Sequence, residues 1–152
     1  MASHANGIIP PLPAGKQFRE FPLHLNYGKV ALLPDEHDLV VNVQSGHFTL
    51  INWSVRYVVT DGQFNPTGEL PFMFSLLSAW PSFVRNEVLL QDVTDKARGE
   101  CEDLIELGGE HALEPLRRLA ESCRGQLHNF NIDIEDINGQ GYKLSPWKGV
   151  RP

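Results

Sequence analysis

Residues 35–38 read Asp-Glu-His-Asp, a concentration of carboxylate and imidazole donors of the kind metal ions use. Neighbouring residues on a strand or turn point apart, and no second cluster is placed to complete a site, so no metal is expected there. The histidines are His4, His24, His37, His47, His111 and His128, and no two form a His-x-x-x-His helix pair. Cys101 and Cys123 are too few and too far apart to make a zinc site without matching histidines. They predict buried free thiols in a reducing compartment. A Gly-x-Ser-x-Gly elbow, a phosphate loop and a Cys/His nucleophile pattern are all absent from the sequence. The expectation is therefore a protein that is not an enzyme and carries no cofactor.

The remaining chemistry is cationic. Leu116-Arg117-Arg118-Leu119 sits in a stretch where Ala112, Leu113, Leu116, Leu119, Ala120 and Cys123 recur at helical spacing. That stripe faces inward and leaves His111, Glu114, Arg117, Arg118, Glu121, Ser122 and Arg124 outward. Guanidinium groups on an exposed helix can hold phosphates and read guanine edges. The whole chain argues against a generic polycation: 13 basic residues stand against 19 acidic ones, for a net charge of −6. Any contact with nucleic acid must then be local.

The elements that would position these groups can be read along the chain. Residues 1–17 hold three prolines in four positions and predict a flexible, extended arm. Residues 18–62 alternate in short apolar runs over 21–27, 29–33, 39–43 and 48–60. These are bounded by Pro34-Asp35, Ser45-Gly46 and Asp61-Gly62, and they predict three or four antiparallel strands. From residue 66 the period turns helical. Leu70, Phe72, Met73, Leu76 and Leu77 share one side of a helix that starts near Glu69, with Pro71 in its first turn, and ends at Trp80-Pro81. Asn86 reads as the N-cap of a second helix carrying Val88, Leu89, Leu90 and Val93. Residues 95–107 carry a thin apolar stripe that Gly108-Gly109 stops. Pro115 is expected in the first turn of the helix that follows. Phe130 to Ile137 alternates strictly, Asn138-Gly139-Gln140-Gly141 is a turn, and Tyr142-Lys143-Leu144 returns, which is a hairpin.

The order is sheet, helices, hairpin, and particular segments narrow it. Phe64 to Pro81 resembles the Leu-Thr-Pro-x-Glu segment, first helix and following turn of the DNA-binding effector domains of OmpR/PhoB-type response regulators. Val84 to Leu90 resembles their second helix. Leu116-Arg117-Arg118-Leu119 is similar to the Ile-Arg-Arg-Leu heart of their recognition helix. Ile137-Asn138-Gly139-Gln140-Gly141-Tyr142-Lys143-Leu144 is similar to their Val-Arg-Gly-x-Gly-Tyr-Arg-Leu wing. The resemblance covers residues 64–144 and, more loosely, the strands before them. It implies an α+β winged helix–turn–helix over 18–144: an N-terminal antiparallel sheet (18–62), three or four helices (about 69–125), a wing (129–144) and a basic tail (145–152). The residues before the helices are too few for a receiver domain, so a stand-alone effector is implied.

By the same resemblance, the protein is a transcription regulator that binds double-stranded DNA through the helix at about 115–125 and the wing. Its contacts would be Arg117, Arg118, Arg124, Asn138, Tyr142 and Lys143. Gly139 and Gly141 would supply backbone angles that a side chain forbids. This sequence departs from the family where Ala120-Glu121-Ser122 replaces a basic run and Asn138 replaces an arginine. Asp133, Glu135 and Asp136 also precede the wing. A second reading follows from the acidic stretch between Asp95 and His111. In the family that loop contacts RNA polymerase. Glu100, Glu102, Asp103 and Glu106 could instead make the domain an acidic protein-binding module, docking on RNA polymerase or another transcription factor, as small phage-encoded regulators do. A homodimer is a further form of control the resemblance allows. The N-terminus has no basic start and no sustained apolar run, so it predicts a cytoplasmic protein without membrane association.

Overall fold

A computed structural model describes residues 18–21, 23, 32–33, 36–55 and 57–147, apart from the side chains of Val59, Thr60 and Phe130. The Pro-rich arm and the last residues of the tail lie outside the described residues. The chain divides into two compact units, residues 1–66 and 67–152. The described residues make a mixed α+β arrangement with antiparallel sheets and four α-helices. No described helix is long and apolar enough to cross a membrane.

In the first unit, β1 (Phe18–Phe21), β2 (His37–Asn42), β3 (His47–Asn52) and β4 (Tyr57–Gln63) form a sheet in that order, each strand antiparallel to the next. The apolar run over 48–60 is two strands and a turn. The break falls at Trp53-Ser54-Val55, which has neither Gly nor Pro; the Asn52 side chain makes the turn by accepting from Ser54 N at 3.0 Å. Asp61 and Gly62, expected to end the strand, lie within β4 opposite Thr49 and Phe48. Phe48 stacks on Phe64 at 4.5 Å in the core of this unit. Most of the residues expected as strands over 21–27 and 29–33 lie outside the described residues, though Leu32 and Leu33 are buried. Of the acidic run at 35–38, Asp38 is buried and its Oδ2 accepts from the Trp53 indole at 2.9 Å.

In the second unit, α1 (Glu69–Ala79) buries Leu70, Phe72, Met73, Leu76 and Leu77, the predicted stripe. Pro71 stands in its first turn, where the missing N–H has no helix partner to lose. A short strand, β5 (Val84–Arg85), leads into α2 (Asn86–Thr94). The acidic stretch forms a helix of its own, α3 (Arg98–Gly108), and α4 (Glu110–Leu127) follows directly. Pro115 is interior to α4 and not in its first turn. The helix survives because its buried residues, Leu116, Ala120, Cys123 and Leu127, all follow the proline, so packing holds the long C-terminal part while the Pro removes one hydrogen bond from the shorter start.

A turn of 3-10 helix (His128–Phe130) leads to β6 (Ile132–Asp136) and β7 (Gly141–Pro146). The second sheet has the order β5-β7-β6 and is antiparallel throughout. Ile132, Ile134, Tyr142 and Leu144 are buried, and Phe72 of α1 meets the Tyr142 ring edge-on at 5.9 Å. β7 runs past the expected start of the tail, since Ser145 and Pro146 pair with Asp133 and Ile132. Trp147 then donates its N–H to Asn131 O at 2.8 Å and stacks on His128 at 3.9 Å.

Candidate nucleic-acid interface

The β6–β7 connection owes its shape to two adjacent residues. Asn138 (φ 54°) and Gly139 (φ 73°) both adopt left-handed backbone, the requirement of a two-residue hairpin turn of the primed type. Gln140 N closes it on Ile137 O at 2.9 Å, and the Asp136 carboxylate accepts from Gly139 N at 2.8 Å. Gly141 is needed for a different reason than expected. Its φ is not in the left-handed region; a Cβ there would lie 2.1 Å from Val84 O, because β5 and β7 pair through it.

Asn86 fastens this turn to the start of α2. Its N–H donates to Gln140 O at 2.9 Å, and its side-chain amide donates to Gly139 O at 2.9 Å. It is not the N-cap expected of it: Arg85 occupies that position, and Asn86 is the first helical residue. Sequence reading missed this role. A polar amide at a helix start looks like a cap, and nothing local reveals a partner in a hairpin far along the chain.

The six residues assigned to DNA contact separate into three groups. Arg117 and Arg118 are on the solvent face of α4, as expected, and Asn138 is exposed at the hairpin turn. Arg117 lines a cavity of about 180 Å³ together with Gly139 and Asp136, so the α4 face and the turn are neighbours. Lys143 is on β7 between inward Tyr142 and Leu144, in register with Glu135 on the outer face of the sheet. Arg124, expected to face outward, is turned into the fold, and the Tyr142 ring packs inward against Phe72 of α1. The Arg124 guanidinium donates to Asp133 Oδ1 at 3.0 Å, to Glu121 at 2.5 Å and to Ile134 O at 2.5 Å. Asp133 Oδ1 also receives Ile134 N and meets His128 Nε2 at 3.1 Å, so Arg124 clamps α4 onto β6. Burial and the nearby Asp136 carboxylate push the Tyr142 pKa above its ordinary value.

Electrostatics on this side are mixed. The carboxylate of Glu114 serves both free-facing arginines, with Arg117 Nη1 at 2.6 Å and Arg118 Nε at 3.5 Å. Such exposed pairs are worth ~0–1 kcal/mol, so either arginine exchanges Glu114 for another anion at little cost. On α3 only Cys101 is buried. Glu102 and Glu106 border a cavity of about 280 Å³ with Arg85, Gly139 and Gln140, beside the hairpin turn. Glu100 pairs with Lys96 at 3.4 Å, and Leu104 and Leu107 are 42% and 88% exposed. The chain matches no protein-family model, and no curated protein or solved structure is significantly similar to it.

Proposed function

We propose that the second unit is a winged helix–turn–helix of the OmpR/PhoB effector type, acting as a DNA-binding transcription regulator. α4 is the recognition helix and the β6–β7 hairpin is the wing. The observation that carries this reading is the connectivity: α1, β5, α2, the additional helix α3, α4, then a hairpin whose strands close a sheet of order β5-β7-β6, with the Asn138-Gly139 turn beside Arg117 of α4. The four-stranded antiparallel sheet ahead of α1 fits the same plan.

A major groove about 12 Å wide admits one helix. In this reading Arg117 and Arg118 leave Glu114 for phosphate or guanine, while the Asn138 end of the hairpin meets the adjacent backbone. Arg124, Tyr142 and Asn86 hold that geometry and do not touch DNA. Two cations among several acids give weak, salt-sensitive binding.

The test is fluorescence anisotropy of a labelled mixture of random duplexes at low salt. The wild-type chain should bind, and the Arg117→Ala/Arg118→Ala variant should bind more weakly, with its log–log salt slope reduced by about 2. A wild-type chain without duplex affinity at low salt refutes the reading.

A second reading is supported by the exposed Leu104 and Leu107, which stand among acids on α3. An apolar pair ringed by carboxylates suits a basic protein surface, and RNA polymerase is the partner to try first. Titration with purified polymerase should then show binding that Glu100→Lys/Glu106→Lys abolishes. Binding unaffected by that reversal excludes this use of α3.

A further inference from the structure

α3 is inserted between α2 and the recognition helix, packs against both, and buries little of its own surface. Asp95 at the end of α2 is left-handed (φ 64°), and Gly109 joins α3 to α4 at φ 57°, ψ −133°. Between these joints the helix buries Cys101 alone and donates one side-chain hydrogen bond to α2, from Arg98 Nε to Gln91 at 3.1 Å. A helix of this length depends on packing for its stability in water. Its flanks differ in chemistry. Cys101 is the buried side chain. Glu102 and Glu106, one turn apart, border a cavity that Ile105, Glu87 and, from the hairpin turn, Gly139 and Gln140 also line. Arg85, which shares that cavity, is already paired with Glu87 at 3.3 Å. Glu100 and Asp103 are on the other, outward flank of the helix.

We propose that α3 is an autoinhibitory element: Glu102 and Glu106 stand where the backbone of an approaching duplex would meet the hairpin turn, and they hold its basal affinity down. The inference rests on the DNA-binding reading above. Screening extends only ~8 Å at physiological salt, so carboxylates lining one small cavity with the turn act on any phosphate that reaches it, whereas the outward pair acts far less. A single buried side chain on α3 gives the device its means of release. A basic surface that captures α3, or a swing about the Asp95 and Gly109 joints, would remove both charges from the turn at once.

Two full-length variants that lose the same charge separate position from net charge. Glu102→Gln/Glu106→Gln should bind random duplex about fivefold more tightly than the wild type at about 0.15 M salt, where screening confines each charge to its surroundings. Glu100→Gln/Asp103→Asn should change affinity by less than about twofold. Circular dichroism should show the wild-type helix content in both. Equal gains in the two variants would mean that only net charge matters and would overturn the proposal. No gain in Glu102→Gln/Glu106→Gln, with a wild type that binds, would overturn it while leaving DNA binding intact. If wild type and both variants all fail to bind duplex even at low salt, autoinhibition and DNA binding fall together.

Discussion

Asn86 and Gly141 fix the hairpin turn more than the residues that first draw attention to it. Asn86→Ala removes the amide that holds Gly139 O and should cost about 1–3 kcal/mol of unfolding free energy. Amide exchange should accelerate at 138–140 in that variant, before any change in β2 or β3. The two glycines make a sharper comparison. Gly139→Ala places a Cβ on left-handed backbone with open space around it, for roughly 1–2 kcal/mol. Gly141→Ala drives a Cβ into the Val84 carbonyl and should cost about 3 kcal/mol, enough to loosen the β5–β7 pairing. Chemical denaturation of the two variants checks the order; a larger loss for Gly139→Ala would contradict the close approach of the two strands. Only part of this was legible in the sequence. Gly-x-Gly announces a turn, but whether a glycine serves a positive φ or a backbone contact depends on a strand more than fifty positions away.

At the scale of the element, the helices show where periodicity succeeds and where it stops. Five apolar positions gave α1 its buried face, and Pro71 marked its start, because local sterics and the core agree there. α4 misled at its beginning. Pro115 looks like a first-turn residue, yet the chain continues helical for five residues ahead of it, since Gly109 starts the helix and the later residues secure it. Restoring the missing N–H should therefore help. Pro115→Ala should raise stability by about 1 kcal/mol, with amide protection gained over 110–115. A loss of stability would mean that the proline shapes a packing contact. α3 was visible only as a charged stretch with a thin stripe, because one buried cysteine is too little pattern to distinguish a docked helix from a solvated loop. Arg124 illustrates the same limit. Its helical position is outward by period, but β6 supplies Asp133 and Ile134 O, and these turn it inward.

For the whole molecule, two buried acids of the second unit predict how stability responds to alkali. Burial, then Glu69, raises the Cys123 thiol well above its ordinary 9.0, and burial, then Asp136, raises Tyr142 above 10.0. Both groups hold their protons more firmly in the folded chain than in the unfolded one. The resulting stability is complete below the unfolded values and is lost as pH climbs past them toward the folded ones. The thermal midpoint should stay level to about pH 9 and then fall, and Cys123→Ala should remove the part of the fall that begins there. An unchanged alkaline limb in that variant would show that the thiol is not the group responsible.

Charge at this scale also explains why function was less legible than fold. The order of strands and helices follows from local patterns that the sequence carries openly. Whether a face is usable by DNA depends on which cations remain after Glu114, Asp133 and Glu121 have taken theirs, and those pairings exist only in three dimensions. The most direct measurement is backbone amide NMR of the full chain during titration with duplex at low salt. The account predicts shift changes centred on Arg117, Arg118 and residues 137–140. Saturating duplex that moves no resonance on α4 or in that turn, or that perturbs only other surfaces, would contradict it.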